Sequence, residues 1–374
     1  MKTTTKNYSK PLKVGIVGPI PIHRYRGGIS QLLEAFLKQR DHLLEDGIDV
    51  HLINTCVVPR SNDTMGKFKW INFYNFYKLL STGFRSIKHH KTELLHVHSS
   101  VCITILKDAL AVLFFKVFFD VRAVLQIHSA EIMQTKFKVR VLDRFCTWVL
   151  NRAYDSIIVF TKTQQQFLKS KFHGRVEICS NFIPSFNNSM EVNTLSKSHI
   201  NITFLGSIEN MKGIMDLLSA LSSLKKLPWK LTIAGEFKDD SYRQMLLNDE
   251  GYQKINDRIQ FTGYVKAKEK YKLLSHTDIL VLPSYAEGMP VSILEGLSYG
   301  VAIVATDVGA NADHFSSICN LIQPGDIAGL THELEQLMMD AELLAKRKNQ
   351  AYKLANNYTF EALKSQLLPI YQTI

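Results

Sequence analysis

Residues 279–309, ILVLPSYAEGMPVSILEGLSYGVAIVATDVG, constrain the fold of this chain more than any other stretch. The apolar run 279–282 reads as a buried strand and leads through Pro283 and Ser284 into a loop carrying Glu287. Pro290 falls where a helix begins, and Glu295 lies about one turn inside it. A second apolar run, 301–305, follows Gly300 and ends at Thr306, Asp307 and Gly309. Strand, loop, helix, strand is the repeating unit of a parallel sheet. It places two carboxylates at the carboxyl end of the first strand, where open α/β sheets bind ligands. A helix start with Pro in its first turn and unpaired N–H groups suits a phosphate. Carboxylates accept hydrogen bonds from the hydroxyls of a sugar or ribose. Together these features point to a phosphorylated, hydroxyl-rich ligand.

The same alternation runs through the chain. Strands are predicted at 12–17, 50–55, 94–98, 123–128, 156–160 and 176–178, with helices at 29–45 and near 107–118. A polar, Asn- and Ser-rich segment, 184–198, then reads as a linker. Beyond it strands are predicted at 201–205, 230–234, 259–263, 279–282, 301–305 and 321–323, followed by helical stretches at 328–356 and 359–372. The expected organisation is α/β, two Rossmann-like doubly wound domains, 1–185 and 186–358. The 374 residues suffice for two cores, and 46% hydrophobic with 21% charged residues excludes a disordered chain. Five scattered cysteines without a Cys-x-x-Cys argue against a disulfide framework or a structural zinc site. No apolar signal segment follows the N-terminus, and the longest apolar run, 109–115, is too short to span a bilayer. A cytoplasmic or peripheral protein is expected.

Glu287 and Glu295, with Gly288 between them and the GVAIVATDVG run behind, resemble the Glu-x7-Glu signature of the family 4 retaining glycosyltransferases. The resemblance runs along nearly the whole chain and is most specific at 279–309. It implies the GT-B architecture, with the two domains facing each other across a cleft and the last helix, 359–374, packing back on the first domain. It implies a nucleotide diphosphate sugar as donor, a glycan or polyprenyl-diphosphate-linked hydroxyl as acceptor, and transfer of a hexosyl group. Glu287 would then hold hydroxyls of the donor sugar and Glu295 the ribose, with Gly288, Met289, Pro290 and Val291 lining the donor site between them.

The remaining motifs are ordinary by themselves and gain meaning from that resemblance. Gly27 and Gly28 open a helix after the first strand, and would lie near the donor's diphosphate. Gly206 and Ser207, followed by Lys212 and Gly213, match the loop that opens the second domain. Ser207 stands where the family usually has Arg, so charge neutralisation would fall to Lys212 and to helix N-termini. Gly235 and Glu236 resemble the loop holding the nucleotide base, as does the segment at Tyr264 and Val265. His128 reads from its own position as a satisfied strand-end histidine, whereas the family places a His there facing the donor sugar. Glu287, His128 and Lys212 are the expected catalytic residues. His96 and His98 are expected to be structural with acceptor contact, and Asn181 to be a hinge or cleft residue. No Asp-x-Asp occurs, so neither a metal nor another cofactor is expected.

Charge is divided unequally. Residues 1–180 hold 27 Lys and Arg against 13 Asp and Glu, and the remainder hold 18 against 21. Within the basic half, 65–91 combines six Lys and Arg with seven aromatics and no carboxylate. That mixture suits an anionic membrane surface. It equally suits an amphipathic helix with aromatics inward and basic residues in water. Single-stranded nucleic acid is the less favoured partner, because nothing else suggests a nucleic-acid fold. Three readings rival sugar transfer: a non-catalytic GT-B subunit binding a nucleotide sugar or a partner enzyme, a nucleotide-sugar epimerase, and a nucleic-acid-binding protein.

Overall fold

A computed structural model of the chain describes residues 10–20, 27–56, 70–100, 102–129, 140–184 and 198–374. Residues 185–197 of the expected linker (184–198), most of the loop before Gly27, and the start of the basic aromatic segment (65–69) lie outside the described residues. The chain divides into two compact units, residues 1–184 with 363–374, and residues 185–362.

In the first unit six strands, β1 (Leu12–Gly18), β2 (Ile48–Asn54), β3 (Leu94–Ser99), β4 (Arg122–Ile127), β5 (Ser156–Val159) and β6 (Arg175–Ile178), form one parallel sheet. Its order is β2-β1-β3-β4-β5-β6. β1 pairs with both neighbours, Val14 standing opposite Val50 and Leu94, so the strand order reverses between β1 and β3. Helices cover both faces, which is why the inner strands are apolar at nearly every position rather than at alternate ones. The predicted helix 29–45 is two helices, Gly28–Lys38 and Arg40–Glu45, broken at Gln39.

Three helices, Trp70–His90, Cys102–Phe118 and Arg140–Ala153, make the crossovers into β3, β4 and β5. These crossovers advance in one direction across the sheet, and right-handed connections then bring the three helices to one face. They share a core there: Leu79, Ile87, Ala109, Val112, Phe115, Val149 and Ala153 pack with Leu95, Val97, Leu125 and Ile157 from the strands. The end of the last helix, Phe360–Thr373, belongs to this unit. Tyr371 is buried with its hydroxyl bonded to His96, Gln366 accepts from the Ser180 amide, and Lys364 pairs with Asp46 at 2.7 Å.

In the second unit β7 (Ile200–Leu205), β8 (Trp229–Ala234), β9 (Ile259–Gly263), β10 (Ile279–Leu282), β11 (Ala302–Thr306) and β12 (Leu321–Ile322) form a second parallel sheet. Its order is β12-β11-β10-β7-β8-β9. The chain winds outward one way from β7 and the other way from β10, so the switch point lies between these two adjacent strands. The predicted helix 328–356 is again two, Ile327–Met339 and Ala341–Ala355, joined at the N-cap Asp340. Each unit is therefore a Rossmann-like doubly wound sheet.

Candidate active site

The loops after β7 and β10 meet at the switch point of the second unit, and two glycines account for how closely. Gly213 (φ +66) ends the short turn Asn210–Lys212 and precedes the helix Ile214–Ser223. A Cβ there would stand 1.9 Å from the Pro283 carbonyl oxygen, so any side chain would force the two loops apart. The Tyr285 amide donates to the Met211 carbonyl across the same contact. This brings Lys212 to Glu287: its Nζ donates to Oε1 at 2.6 Å, and the Ser284 hydroxyl donates to the same oxygen at 2.7 Å. The Glu287 side chain is 11% exposed, so the carboxylate is set in the loop with little of it in water.

Gly309 (φ +59) explains why the run after β11 accompanies Glu287. A Cβ there would lie 2.2 Å from the Glu287 carbonyl oxygen and 2.6 Å from that of Gly288. The Ala310 amide donates to the Gly288 carbonyl, and the Thr306 hydroxyl to the Ser284 carbonyl. The segment 306–310 is thus a clamp beneath the loop that carries Glu287.

Pro290, expected inside the first helical turn, is instead the N-cap of the helix Val291–Ser298. Met289 and Pro290 are buried, while Gly288 and Val291 are half-buried. Glu295 lies on the inner side of this helix, only 3% exposed, with Oε1 accepting from Lys270 Nζ at 2.5 Å. Lys270, on the helix Ala267–His276, is buried as well. Burial raises the Glu295 carboxyl above its ordinary range, and the Lys270 ammonium offsets only part of that rise. Lys270 carried no signal in the sequence. In AKEKYKLLSH it is one of three lysines on a short polar helix, and its partner is 25 residues away.

Gly206 with Ser207, and Gly235 with Glu236, lie side by side at the ends of β7 and β8. The Gly206 amide donates to the Ala234 carbonyl and the Ile208 amide to that of Glu236. The Ser207 hydroxyl donates to Glu209 Oε1 at 2.5 Å, and Lys238 approaches the same oxygen at 3.8 Å. Where the resemblance calls for a cation, this loop therefore presents a hydroxyl turned toward a carboxylate, with Lys238 nearby.

The expected residues of the first unit gather at the ends of β3 and β4. His98 and His128 share a hydrogen bond between Nδ1 and Nε2 at 2.9 Å. His96 stacks on His98 with ring centroids 4.2 Å apart, and its Nδ1 lies 2.6 Å from the Tyr371 hydroxyl. Its other nitrogen, Nε2, is buried without a partner among the described residues. Burial lowers His96 and His128 to about 3, and His98 well below its usual value, so all three are neutral near neutral pH. They line a small cavity with Asn181 and with Leu33 and Leu363 from two helices. Gly27 is the exposed N-cap of the helix that begins at Gly28, with nothing near its missing Cβ. Among the described residues no cluster of His, Cys, Asp or Glu has the geometry to hold a metal ion.

Residues 185–354 match the family model for glycosyl transferases group 1, so the second unit carries the domain of that family. A stretch of 126 residues is 34% identical to the lipopolysaccharide 1,6-galactosyltransferase of Escherichia coli K12, covering 32% of this chain and 34% of that protein. Another of 105 residues is 30% identical to the Campylobacter jejuni N,N'-diacetylbacillosaminyl-diphospho-undecaprenol alpha-1,3-N-acetylgalactosaminyltransferase, covering 28% of each. These matches span about a third of the relatives' length. The crystal structure of Anabaena Alr3699/HepE in complex with UDP superposes with a TM-score of 0.69 at 16% identity, over 97% of this chain and all of that one. That likeness concerns the fold, which is GT-B, two Rossmann-like units in one chain.

Proposed function

We propose, from a second unit built as a glycosyl transferases group 1 domain, that this protein is a retaining glycosyltransferase. It moves a hexosyl group from a nucleotide diphosphate sugar to a hydroxyl of a glycan or lipid-linked acceptor, without a metal ion, at the cytoplasmic side of a membrane. The observation that carries the reading is the Lys212–Glu287 pair at the switch point, an ammonium and a carboxylate side by side where open α/β sheets bind ligands. Lys212 meets the diphosphate, and Glu287, released from it, accepts hydrogen bonds from the donor sugar. Glu295, paired with Lys270, accepts from the ribose. In the transfer the bond from the anomeric carbon to the diphosphate oxygen breaks, and the acceptor oxygen bonds to that carbon on the same face. The acceptor's proton passes to the departing phosphate, so the protein supplies no base. The charge growing on that phosphate is met by Lys212 and by the free N–H groups opening the helices at Ile214 and Val291.

A specific observation favours a second reading, a non-catalytic GT-B subunit that binds a nucleotide sugar or a partner enzyme. The Ser207 hydroxyl faces Glu209 and adds no charge to the phosphate loop. Thermal-shift measurements with nucleotides and nucleotide sugars, in EDTA, test the proposal. Stabilisation by one nucleoside diphosphate, lost in Lys212→Ala, together with sugar transfer lost in Glu287→Gln, is the expected result. Stabilisation without transfer to any acceptor supports the second reading, and no stabilisation by any nucleotide overturns both.

A further inference from the structure

Apart from Thr104, Lys107, Asp108 and Lys116, the helix Cys102–Phe118 is built of apolar side chains, a composition that normally marks a helix enclosed by protein. Here its inner side, including Ala109, Val112 and Phe115, packs on the sheet, while Leu110, Val117 and Phe118 are exposed. Its neighbours continue the same surface. Trp70–His90 exposes Phe73, Tyr74 and Tyr77, and Arg140–Ala153 exposes Phe145 and Trp148. Val117 is 77% exposed, Tyr77 66% and Trp148 56%. The three helices touch through ring contacts of Phe84 with Phe114 and Phe118, and through their shared core, so these side chains form one face rather than scattered spots. A face of this extent on a soluble fold marks a docking surface.

Its charge selects the occupant. The three helices carry eight Lys and Arg against two Asp in their sequence; Asp108 is buried beside Lys107, and Lys116 is paired with Asp155, which leaves six cations against Asp143. Lys78 lies over the Tyr74 ring and Arg152 over that of Trp148, the arrangement of aromatic bodies topped by cations that suits a headgroup layer. A second copy of the chain would bring like charges together across a two-fold axis, whereas an anionic bilayer offers both an apolar layer and opposite charge. Among the described residues no helix is long and apolar enough to cross a membrane, so the contact lies in the plane of the interface. We infer that the outer face of these three helices docks on the surface of an anionic lipid bilayer, with Phe73, Tyr77, Val117, Phe118 and Trp148 entering the headgroup boundary. The inference stands apart from sugar transfer and does not depend on it.

Trp148 supplies its own probe. In the full chain with Trp70→Phe, the remaining tryptophans are Trp148 on this face and Trp229, buried in the other unit. Vesicles of phosphatidylcholine with about 30% phosphatidylglycerol should co-sediment the protein and shift its emission to the blue. Binding should fall roughly tenfold in pure phosphatidylcholine or in high salt, because the attraction is largely electrostatic. Phe73→Ser with Tyr77→Ser, and separately Val117→Ser with Phe118→Ser, should each weaken binding about tenfold through lost apolar contact. All four sites are exposed, and an unchanged melting temperature confirms that each variant folds. Absence of binding to the anionic vesicles overturns the inference, as does binding that neither double variant weakens. A dimer in sedimentation equilibrium that Val117→Ser with Phe118→Ser dissolves would assign the face to a second copy instead.

Discussion

Removing Lys270 tests how far the buried Glu295 depends on a single counter-ion. In Lys270→Met the carboxyl stays buried with no cation, and burial alone then pushes it far above its ordinary range. Its ordinary value is 4.5. At pH 7 the folded variant must therefore take up a proton that the unfolded chain does not hold. The cost is at most about 1.4 kcal/mol per pH unit between 4.5 and 7, or up to about 3.4 kcal/mol. The sign follows from a raised folded value: stability is intact below about 4.5 and is lost as pH rises. At pH 5.5 the same variant should lose only about 1.4 kcal/mol. For a domain of this size the pH 7 loss lowers the melting temperature by about 7–14 °C. Glu295→Gln strands the ammonium and should also destabilise, whereas Lys270→Met combined with Glu295→Gln leaves no buried charge and should recover to within about 1 kcal/mol of the parent. Urea unfolding of the four proteins at the two pH values measures this cycle. A Lys270→Met penalty below about 1 kcal/mol and equal at both pH values would refute the reasoning, as would additivity of the two single substitutions.

Three further outcomes follow from the geometry. Ser207→Arg should tighten nucleoside diphosphate binding by up to about tenfold in calorimetry, since it adds a charged donor beside Lys212's loop; an unchanged affinity would mean that the phosphate does not reach Ser207. Gly309→Ala should cost about 2 kcal/mol or more and weaken the same binding, because a Cβ 2.2 Å from the Glu287 carbonyl must displace that loop. The lowered values of His96 and His128 predict that the first unit loses stability as pH falls from about 6.5 towards 3, by roughly 2 kcal/mol per histidine at pH 5. His128→Asn should flatten that slope in urea titrations, and an unaltered slope would show that His128 takes up its proton while folded.

The sequence by itself determined the layered α/β architecture. Buried parallel strands such as 279–282 and 302–306 are unbroken apolar runs, because helices cover both sheet faces, and that pattern is local enough to read. It also marked the loop of Glu287 and the glycines around it, since a clamp as tight as Gly309 against the Glu287 carbonyl tolerates no side chain. Elements came out long where a helix breaks without a Pro or Gly, as at Gln39 and Asp340. The tertiary structure alone decided which charges meet. Lys212 finds Glu287 75 residues away, Lys270 finds Glu295, and the Ser207 hydroxyl turns to Glu209 rather than outward. It alone showed that the apolar helix Cys102–Phe118 has an uncovered side, together with the aromatics of its two neighbours. Periodicity tells a residue which face of its own element it occupies; what stands opposite that face, another helix, a counter-ion or nothing, is set by the packing of segments far apart in the chain.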